Sequence, residues 1–159
     1  MRRGVALAVV ALGSVIAVGC GEEQASKAKP APTASQTTYE TTVRTIHADM
    51  NGAMAAAFGS SSLDESLIRD ARTTAQDATA EMSEVKVPAR YGDAHEEYVK
   101  GLDTFVDILS DVEGQVDDPN VARRHLGDKR FTTGVGHLER ASRLYSTAGL
   151  DLDARAAGG

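Results

Sequence analysis

Apolar side chains recur at steps of three and four residues along the chain beyond residue 38. This spacing is typical of an α-helix with one buried side, and it predicts four helices near 38–58, 62–86, 89–113 and 118–148. The predicted buried positions in the first three helices are Tyr39, Val43, Ile46, Met50, Ala53 and Ala57; Leu67, Ala71, Ala75, Ala78, Met82 and Val85; and Tyr91, His95, Tyr98, Leu102, Phe105, Leu109 and Val112.

The last segment carries a less regular pattern. Its apolar positions are Val121, Ala122, Leu126, Phe131, Val135, Leu138, Ala141, Tyr145 and Ala148. Their phase slips near Gly127, which predicts either one kinked helix or two pieces broken at that glycine.

Residues that begin or end helices flank these segments. Ser62 and Glu65 fit a capping box, in which each side chain satisfies a free backbone donor of the other residue. Pro88 closes the second helix, and Asp118 followed by a proline opens the last one. Acid-before-base pairs four residues apart support the same helical phase; they are Glu40 and Arg44, Glu65 and Arg69, Glu96 and Lys100, and Glu139 and Arg143.

Four helices with narrow apolar stripes and short links pack most simply as an antiparallel up-down four-helix bundle. No stretch of the chain carries a competing strand pattern. The predicted fold is therefore all-α, with the bundle spanning residues 38–150. The small and polar residues 151–159 predict a flexible tail.

The N-terminus has the layout of an export signal. Arg2 and Arg3 precede 15 uncharged residues, Gly4 to Val18, and small residues follow before Cys20. A helix of 15 residues is about 22 Å long, which is shorter than the roughly 30 Å hydrocarbon core of a bilayer. A cleaved signal is thus favoured over an uncleaved spanning anchor.

The end of this segment, Ala17-Val18-Gly19-Cys20, resembles the lipobox of bacterial lipoproteins. In that family a diacylglyceryl group is attached to the cysteine sulfur and the signal, here residues 1–19, is cut just before it. Gly19 and Cys20 match the pattern, whereas Ala17 stands in place of the usual leucine and Val18 in place of the usual serine or alanine. Ala17 and Gly19 also suit the ordinary signal peptidase, which would release a secreted protein. Cys20 is the only cysteine, and lipidation removes a thiol that would otherwise stay unpaired in an oxidising compartment.

Residues 21–38 contain no aromatic side chain and no aliphatic one larger than alanine, and they include Pro30 and Pro32. A lipidated, disordered linker is therefore predicted over 20–37. Without Arg2 and Arg3 the mature chain has 15 basic and 23 acidic residues, a formal charge of −8. Anionic headgroups repel such a body, so the lipid on Cys20 has to supply the membrane attachment. Nucleic acid is excluded as a partner because phosphate binding needs clustered Lys and Arg.

The first candidate site is the face formed by Tyr91, His95 and Tyr98 on the third helix. A histidine between two phenols could line a polar pocket or respond to pH. The favoured alternative is a structural histidine whose ring nitrogens are bonded to a tyrosine, a carboxylate or a backbone carbonyl.

A second candidate is a metal- or haem-binding bundle that uses His47, Met50, Met54 and His95. The first three residues are spaced i, i+3 and i+7, and a copper ion accepts this mixture of ligands. Methionine at stripe positions is more often core filler. Two signatures are missing from the sequence: the Glu-x-x-His of di-iron bundles, and the Cys-x-x-Cys-His of covalent haem sites.

Glycines are unusually frequent in the third and fourth helical segments, where Gly92, Gly101, Gly127, Gly134 and Gly136 occur. Each glycine inside a helix costs about 1 kcal/mol relative to alanine, so their number needs a reason. Close contact between helices or a local kink is the ordinary explanation, and a ligand cleft beside them is the alternative.

The sequence contains no nucleophile elbow, no zinc-protease motif and no nucleotide-binding fingerprint. The expected protein is therefore a lipid-anchored module on the extracytoplasmic side of the cell membrane, without enzymatic activity or a cofactor. Its expected partner, besides the membrane, is another envelope protein or a small ligand. An enzyme without a recognisable motif is the third hypothesis.

Overall fold

The computed structural model describes residues 33–59, 63–118, 120, 124–125 and 127–154, so the predictions for the signal peptide and Cys20 lie outside it. Within these ranges the chain is an all-α, antiparallel up-down four-helix bundle, as predicted. Its helices are α1 (Ala34–Phe58), α2 (Glu65–Glu84), α3 (Gly92–Glu113) and α4 (Lys129–Thr147). A short 3-10 helix, Ala89–Tyr91, leads into α3.

Ion pairs between helix ends show the antiparallel arrangement. Arg69, in the first turns of α2, donates to the Glu113 carboxylate at the end of α3, with an N–O distance of 2.9 Å. Arg130, at the start of α4, lies 2.8 Å from the carboxylate of Asp111 near the end of α3. The third helix therefore packs between α2 and α4, and α1 packs against α2.

The predicted stripes supply most of the core, but several of their positions are only partly buried, namely Ala53, Val85, His95, Phe131, Val135, Leu138 and Ala148. Val121, Ala122 and Leu126 lie outside the described residues. Tyr39, Val43 and Met50 are buried, as are Leu102 and Phe105. In α2 the buried side chain in the first turn is Ile68, whereas Leu67 is only partly covered. Ile68 keeps the alternation of three- and four-residue steps with the alanines that follow it, so it points at the core while Leu67 lies at the edge.

Two helices begin at places that the sequence pattern did not predict. The first helix begins at Ala34 instead of 38, with Thr33 Oγ1 accepting a hydrogen bond from the backbone N–H of Gln36 at 3.3 Å. Its first turn is polar, so the spacing of apolar residues could not predict it. The second helix is capped by Asp64, which accepts from the N–H of Ser66 at 2.8 Å. The predicted capping box is thus wrong: Glu65 is the first residue of the helix, and Ser62 lies outside the described residues.

The last segment is broken at Gly127, one of the two predicted alternatives. Gly127 and Asp128 are not helical, and the Asp128 carboxylate accepts from the N–H of Arg130 at 2.8 Å. This cap lets α4 begin at Lys129 as a separate helix. Before the break, Asp118 accepts from the N–H of Asn120 at 2.9 Å, the bond expected of a helix-opening aspartate.

The chain beyond α4 turns back onto the bundle, and the prediction of a flexible tail from residue 151 is wrong at its beginning. Gly149 has a φ of 88°, and the N–H of Leu150 donates to the carbonyl oxygen of Tyr145 at 2.8 Å. This is the Schellman arrangement, which needs a residue that tolerates positive φ. It directs Leu150 and Leu152 into the core, where they are 0% and 6% exposed.

Candidate functional site

All four tyrosines of the chain meet where the first half of α1 faces the start of α3 and the end of α4. Tyr39 stacks on Tyr91 with ring centroids 5.3 Å apart, and Tyr145 lies 5.8 Å from Tyr91 and 6.1 Å from Tyr98. Each of these side chains is at most 1% exposed. We call these four residues the tyrosine cluster.

A chain of hydrogen bonds crosses the tyrosine cluster from α4 to α3. The hydroxyl oxygens of Tyr39 and Tyr145 are 2.8 Å apart, and the Tyr39 hydroxyl lies 3.2 Å from Nδ1 of His95. Burial raises the pKa of Tyr39 to about 12 and raises that of Tyr145 further. Burial also lowers the pKa of the half-buried His95, because loss of water penalises the charged ring. All three groups are therefore held neutral near neutral pH.

A second set of polar side chains, centred on Glu40, lies beside the tyrosine cluster. The Tyr91 hydroxyl donates to the Glu40 carboxylate at 2.6 Å, and the Arg90 guanidinium lies 2.6 Å from the same oxygen. Burial alone raises the pKa of Glu40. Hydrogen bonds from Tyr91, Gln36 and Arg90 together outweigh it, so the pKa lies below its ordinary value. Glu40 is therefore ionised, and its carboxylate is held by hydrogen bonds from within the protein.

This pairing overturns one sequence-based prediction. Glu40 was expected to pair with Arg44 one turn later, but it binds Arg90 across the bundle. Arg44 instead donates from Nε to the carbonyl oxygen of Asp151 at 3.1 Å. The other three acid-before-base pairs are present, with N–O distances of up to 3.9 Å for Glu139 and Arg143.

The first candidate site of the sequence, Tyr91, His95 and Tyr98, lies in and beside the tyrosine cluster. His95 is bonded to a tyrosine, which is the arrangement expected of a structural histidine. Sequence reasoning missed Tyr39 and Tyr145 as partners of this face. The up-down topology was the signal that could have found them, since it places the start of the first helix beside the end of the last.

Two of the four candidate metal ligands, His47 and His95, have hydrogen-bond partners within the protein. Nδ1 of His95 is bonded to Tyr39, whereas Nε2 of His47 lies 3.1 Å from Nδ2 of Asn51. Met50 is buried in the core and Met54 packs against it. Within the part of the chain that the structure describes, no three His, Cys, Asp or Glu side chains are arranged to hold a metal ion.

A groove of about 390 Å³ runs along the outer side of α1, where the C-terminal segment crosses it. We call it the α1 groove; its lining residues are Thr41, Arg44, Thr45, His47, Ala48, Asn51, Leu152, Asp153 and Ala154. Nε2 of His47 lies 3.5 Å from the Asp153 carboxylate, a contact that becomes an ion pair when the ring is protonated. The groove thus offers hydrogen-bonding groups above an apolar floor that includes Leu152.

Two of the conspicuous glycines serve close contact between α3 and α4. A Cβ atom on Gly101 would lie 2.5 Å from Cδ2 of Leu138, and one on Gly134 would lie 3.0 Å from Cγ2 of Thr104. A Cβ on Gly92 or Gly136 would meet nothing within 4 Å. Helix packing therefore explains Gly101 and Gly134 only, while Gly127 belongs to the break before α4.

Comparison with known proteins identifies no relative, since no family model, no curated protein and no solved structure matches the chain. Among the helices that the structure describes, none is both long enough and apolar enough to cross a lipid bilayer.

Proposed function

We propose that this protein is a membrane-anchored extracytoplasmic lipoprotein whose helical bundle is a non-enzymatic binding module of the cell envelope. The observation that carries the proposal is the Gly19-Cys20 pair at the end of an uncharged export signal. A diacylglyceryl group on Cys20 supplies two acyl chains, which suffice for stable attachment to a bilayer. The acidic body adds no attraction to anionic headgroups.

The start of α1 limits how far the bundle reaches from such an anchor. Thirteen residues separate Cys20 from Ala34, the first residue of α1. A fully extended chain of this length spans at most about 50 Å. The partner of a module tethered in this way therefore has to come within this reach of the membrane surface.

The α1 groove is the surface that we assign to the binding step, with another envelope protein as the occupant. The hydroxyls of Tyr39, Tyr91 and Tyr145 are bonded inside the protein, to one another or to Glu40, so they are not free to bind a ligand. Thr45 and Asn51, in contrast, are exposed beside the apolar floor of the groove. Mixed apolar and hydrogen-bonding surfaces of this kind suit protein partners.

The anchor is tested by expressing the full-length chain in a bacterium supplied with labelled palmitate. We expect the wild-type chain to carry the label and to sediment with membranes, and Cys20→Ser to lose both properties. Gly19→Ala is the matched control, because it keeps a small residue at the cleavage site. An unlabelled wild-type chain whose Cys20 is a free thiol contradicts the proposal.

The binding surface is tested by placing a photo-crosslinking amino acid at Thr45 in the full-length protein in intact cells. The control position is Asp103, an exposed residue on α3. A discrete crosslinked product at Thr45 and not at Asp103 supports the α1 groove. The same products at both positions, or none at Thr45, refute it while leaving the anchor untouched.

A further inference from the structure

The hydroxyl of Tyr39, on α1, lies within hydrogen-bonding distance of side chains on two other helices. It lies 2.8 Å from the hydroxyl of Tyr145 on α4 and 3.2 Å from Nδ1 of His95 on α3. A phenol hydroxyl donates one hydrogen bond through its proton, and its oxygen accepts hydrogen bonds from other donors. The direction of the two hydrogen bonds is therefore set by whether Nδ1 carries a proton.

The number of protons shared by Tyr145, Tyr39 and Nδ1 indicates which tautomer of the His95 ring fits the structure. When Nδ1 of His95 lacks a proton, Tyr39 donates to the ring and Tyr145 donates to Tyr39, so both phenol protons are bonded. When Nδ1 carries a proton, the ring donates to Tyr39 and Tyr39 donates to Tyr145. The proton of Tyr145 then has no acceptor among the described residues, and this side chain is 0% exposed. Buried donors are almost always paired, so the neutral ring protonated on Nε2 is the form that fits this structure.

We propose that His95 makes the junction of α1, α3 and α4 pH-sensitive: protonating the ring reverses the Tyr145–Tyr39–His95 hydrogen-bond chain and leaves the buried Tyr145 hydroxyl without an acceptor. Acidification then weakens the hydrogen bonds that join the first half of α1 to α3 and α4. This half of α1 also forms part of the α1 groove, through Thr41, Arg44 and Thr45.

The groups around His95 leave this effect uncompensated. The His95 ring itself contacts Tyr39 of α1. The other titratable and charged groups linked to this corner of the bundle are Glu40 and His47 from α1, Tyr145 from α4, Arg90 and Tyr91 from the 3-10 helix, and Tyr98 from α3. The charges of Glu40 and Arg90 are paired with each other. His47 packs its ring against Tyr98, with centroids 6.3 Å apart, and adds no negative charge.

The sign of the pH effect follows from burial. The pKa of His95 in the folded protein is below its ordinary value. The unfolded chain therefore takes up the proton first, and the free energy of unfolding decreases as the pH falls below about 6.5.

The tautomer is measured directly by ring-nitrogen NMR of the full-length chain in detergent micelles. We expect His95 at about pH 7.5 to be neutral, with the proton on Nε2 and Nδ1 as an acceptor. A neutral ring with its proton on Nδ1 overturns the proposal.

The pH sensitivity of this junction is tested by urea unfolding of the same chain at about pH 7.5 and about pH 5.5. Unfolding is followed by the helical circular dichroism signal. The wild-type midpoint is expected to fall with the pH, and His95→Gln to remove most of that fall. Tyr39→Phe, in which the Tyr145 hydroxyl lacks an acceptor at either pH, is expected to show a smaller fall than the wild type. Tyr145→Phe is expected to show the wild-type fall, because the Tyr39 proton then has no acceptor once the ring is protonated. His47→Gln is the control and keeps at least the wild-type fall. An equal fall in Tyr39→Phe and the wild type, or a full fall in His95→Gln, overturns the proposal.

Discussion

The hydroxyl of Tyr39 lies 2.8 Å from that of Tyr145, although the two residues are 106 positions apart along the chain. This contact ties the first helix to the last at the end of the bundle where the chain enters and leaves it. The same Tyr39 hydroxyl reaches His95, so one phenol connects three helices.

Removing the Tyr39 hydroxyl is expected to cost more stability than removing that of Tyr145. Tyr39→Phe leaves Nδ1 of His95 and the buried donor of Tyr145 without partners, and each unsatisfied group costs about 1 to 3 kcal/mol. Tyr145→Phe removes a donor only and is expected to cost about 1 kcal/mol at neutral pH. Urea unfolding of the two variants checks the order, and a Tyr145→Phe variant that is less stable than Tyr39→Phe contradicts it.

The centre of the core is expected to be sensitive to truncation. Leu102 and Phe105 are 0% and 3% exposed, so replacing either with alanine is expected to lower the free energy of unfolding by about 2 to 5 kcal/mol. Val106→Ala on the same helix is the control, since Val106 is only partly buried. Thermal melts measure the difference, and a Phe105→Ala melt equal to that of the wild type would refute the core assignment.

Alanine substitutions at two glycines should have opposite effects. Gly136→Ala is expected to stabilise by about 0.5 to 1 kcal/mol, because a Cβ there meets nothing within 4 Å and alanine favours the helix. Gly101→Ala is expected to destabilise, since its Cβ would lie 2.5 Å from Cδ2 of Leu138 and force that side chain to move. The pair is compared by melting temperature. Equal shifts in the same direction would show that α3 and α4 do not approach closely at Gly101.

The returning C-terminal segment is expected to contribute to stability through Leu152. Leu152→Ala removes a side chain that is 6% exposed and is expected to cost about 2 kcal/mol. Ala154→Ser, at an exposed position of the same segment, is the matched control. Hydrogen exchange at residues 150–153 gives a second readout, which should speed up in Leu152→Ala only; unchanged stability and exchange would mean that Leu152 does not hold the segment.

Glu40 is expected to add a second loss of stability at lower pH than His95. Its pKa is lowered from the ordinary 4.5, so its contribution is present above that value and is lost as the pH falls through the folded-state pKa. Glu40→Gln should therefore flatten the fall in urea midpoint below about pH 4.5. Glu139→Gln, at an exposed carboxylate that lies 3.9 Å from Arg143, serves as the control. If the urea midpoints of both variants fall with pH as that of the wild type does, Glu40 is not the group responsible for this loss of stability.

The bundle itself could be predicted from the sequence because helical periodicity is a local signal. Most positions of the α1 and α3 stripes reappear as buried side chains, and the phase slip at Gly127 marks a real break. The capping box at Ser62 was wrong because Asp64, two residues later, also offers a side-chain acceptor and competes for the same free N–H groups.

The site was less predictable because its contacts cross the bundle. Glu40 has a possible partner four residues away in Arg44, yet it binds Arg90, which lies 50 residues further along the chain. Leu152 belongs to no periodic stripe, so its burial depends on the turn at Gly149. A glycine directly after a helix and followed by leucine is the local signature of that turn, and it was the one available hint.

The placement of the tyrosines gives the protein its own optical probe. The chain has four tyrosines and no tryptophan, and all four rings lie in the same cluster. The tyrosine absorbance and tyrosine fluorescence of the unlabelled protein therefore come from a single corner of the molecule, whereas its far-ultraviolet spectrum averages over every helix. If the two spectra change at different urea concentrations, that corner opens separately from the rest of the bundle.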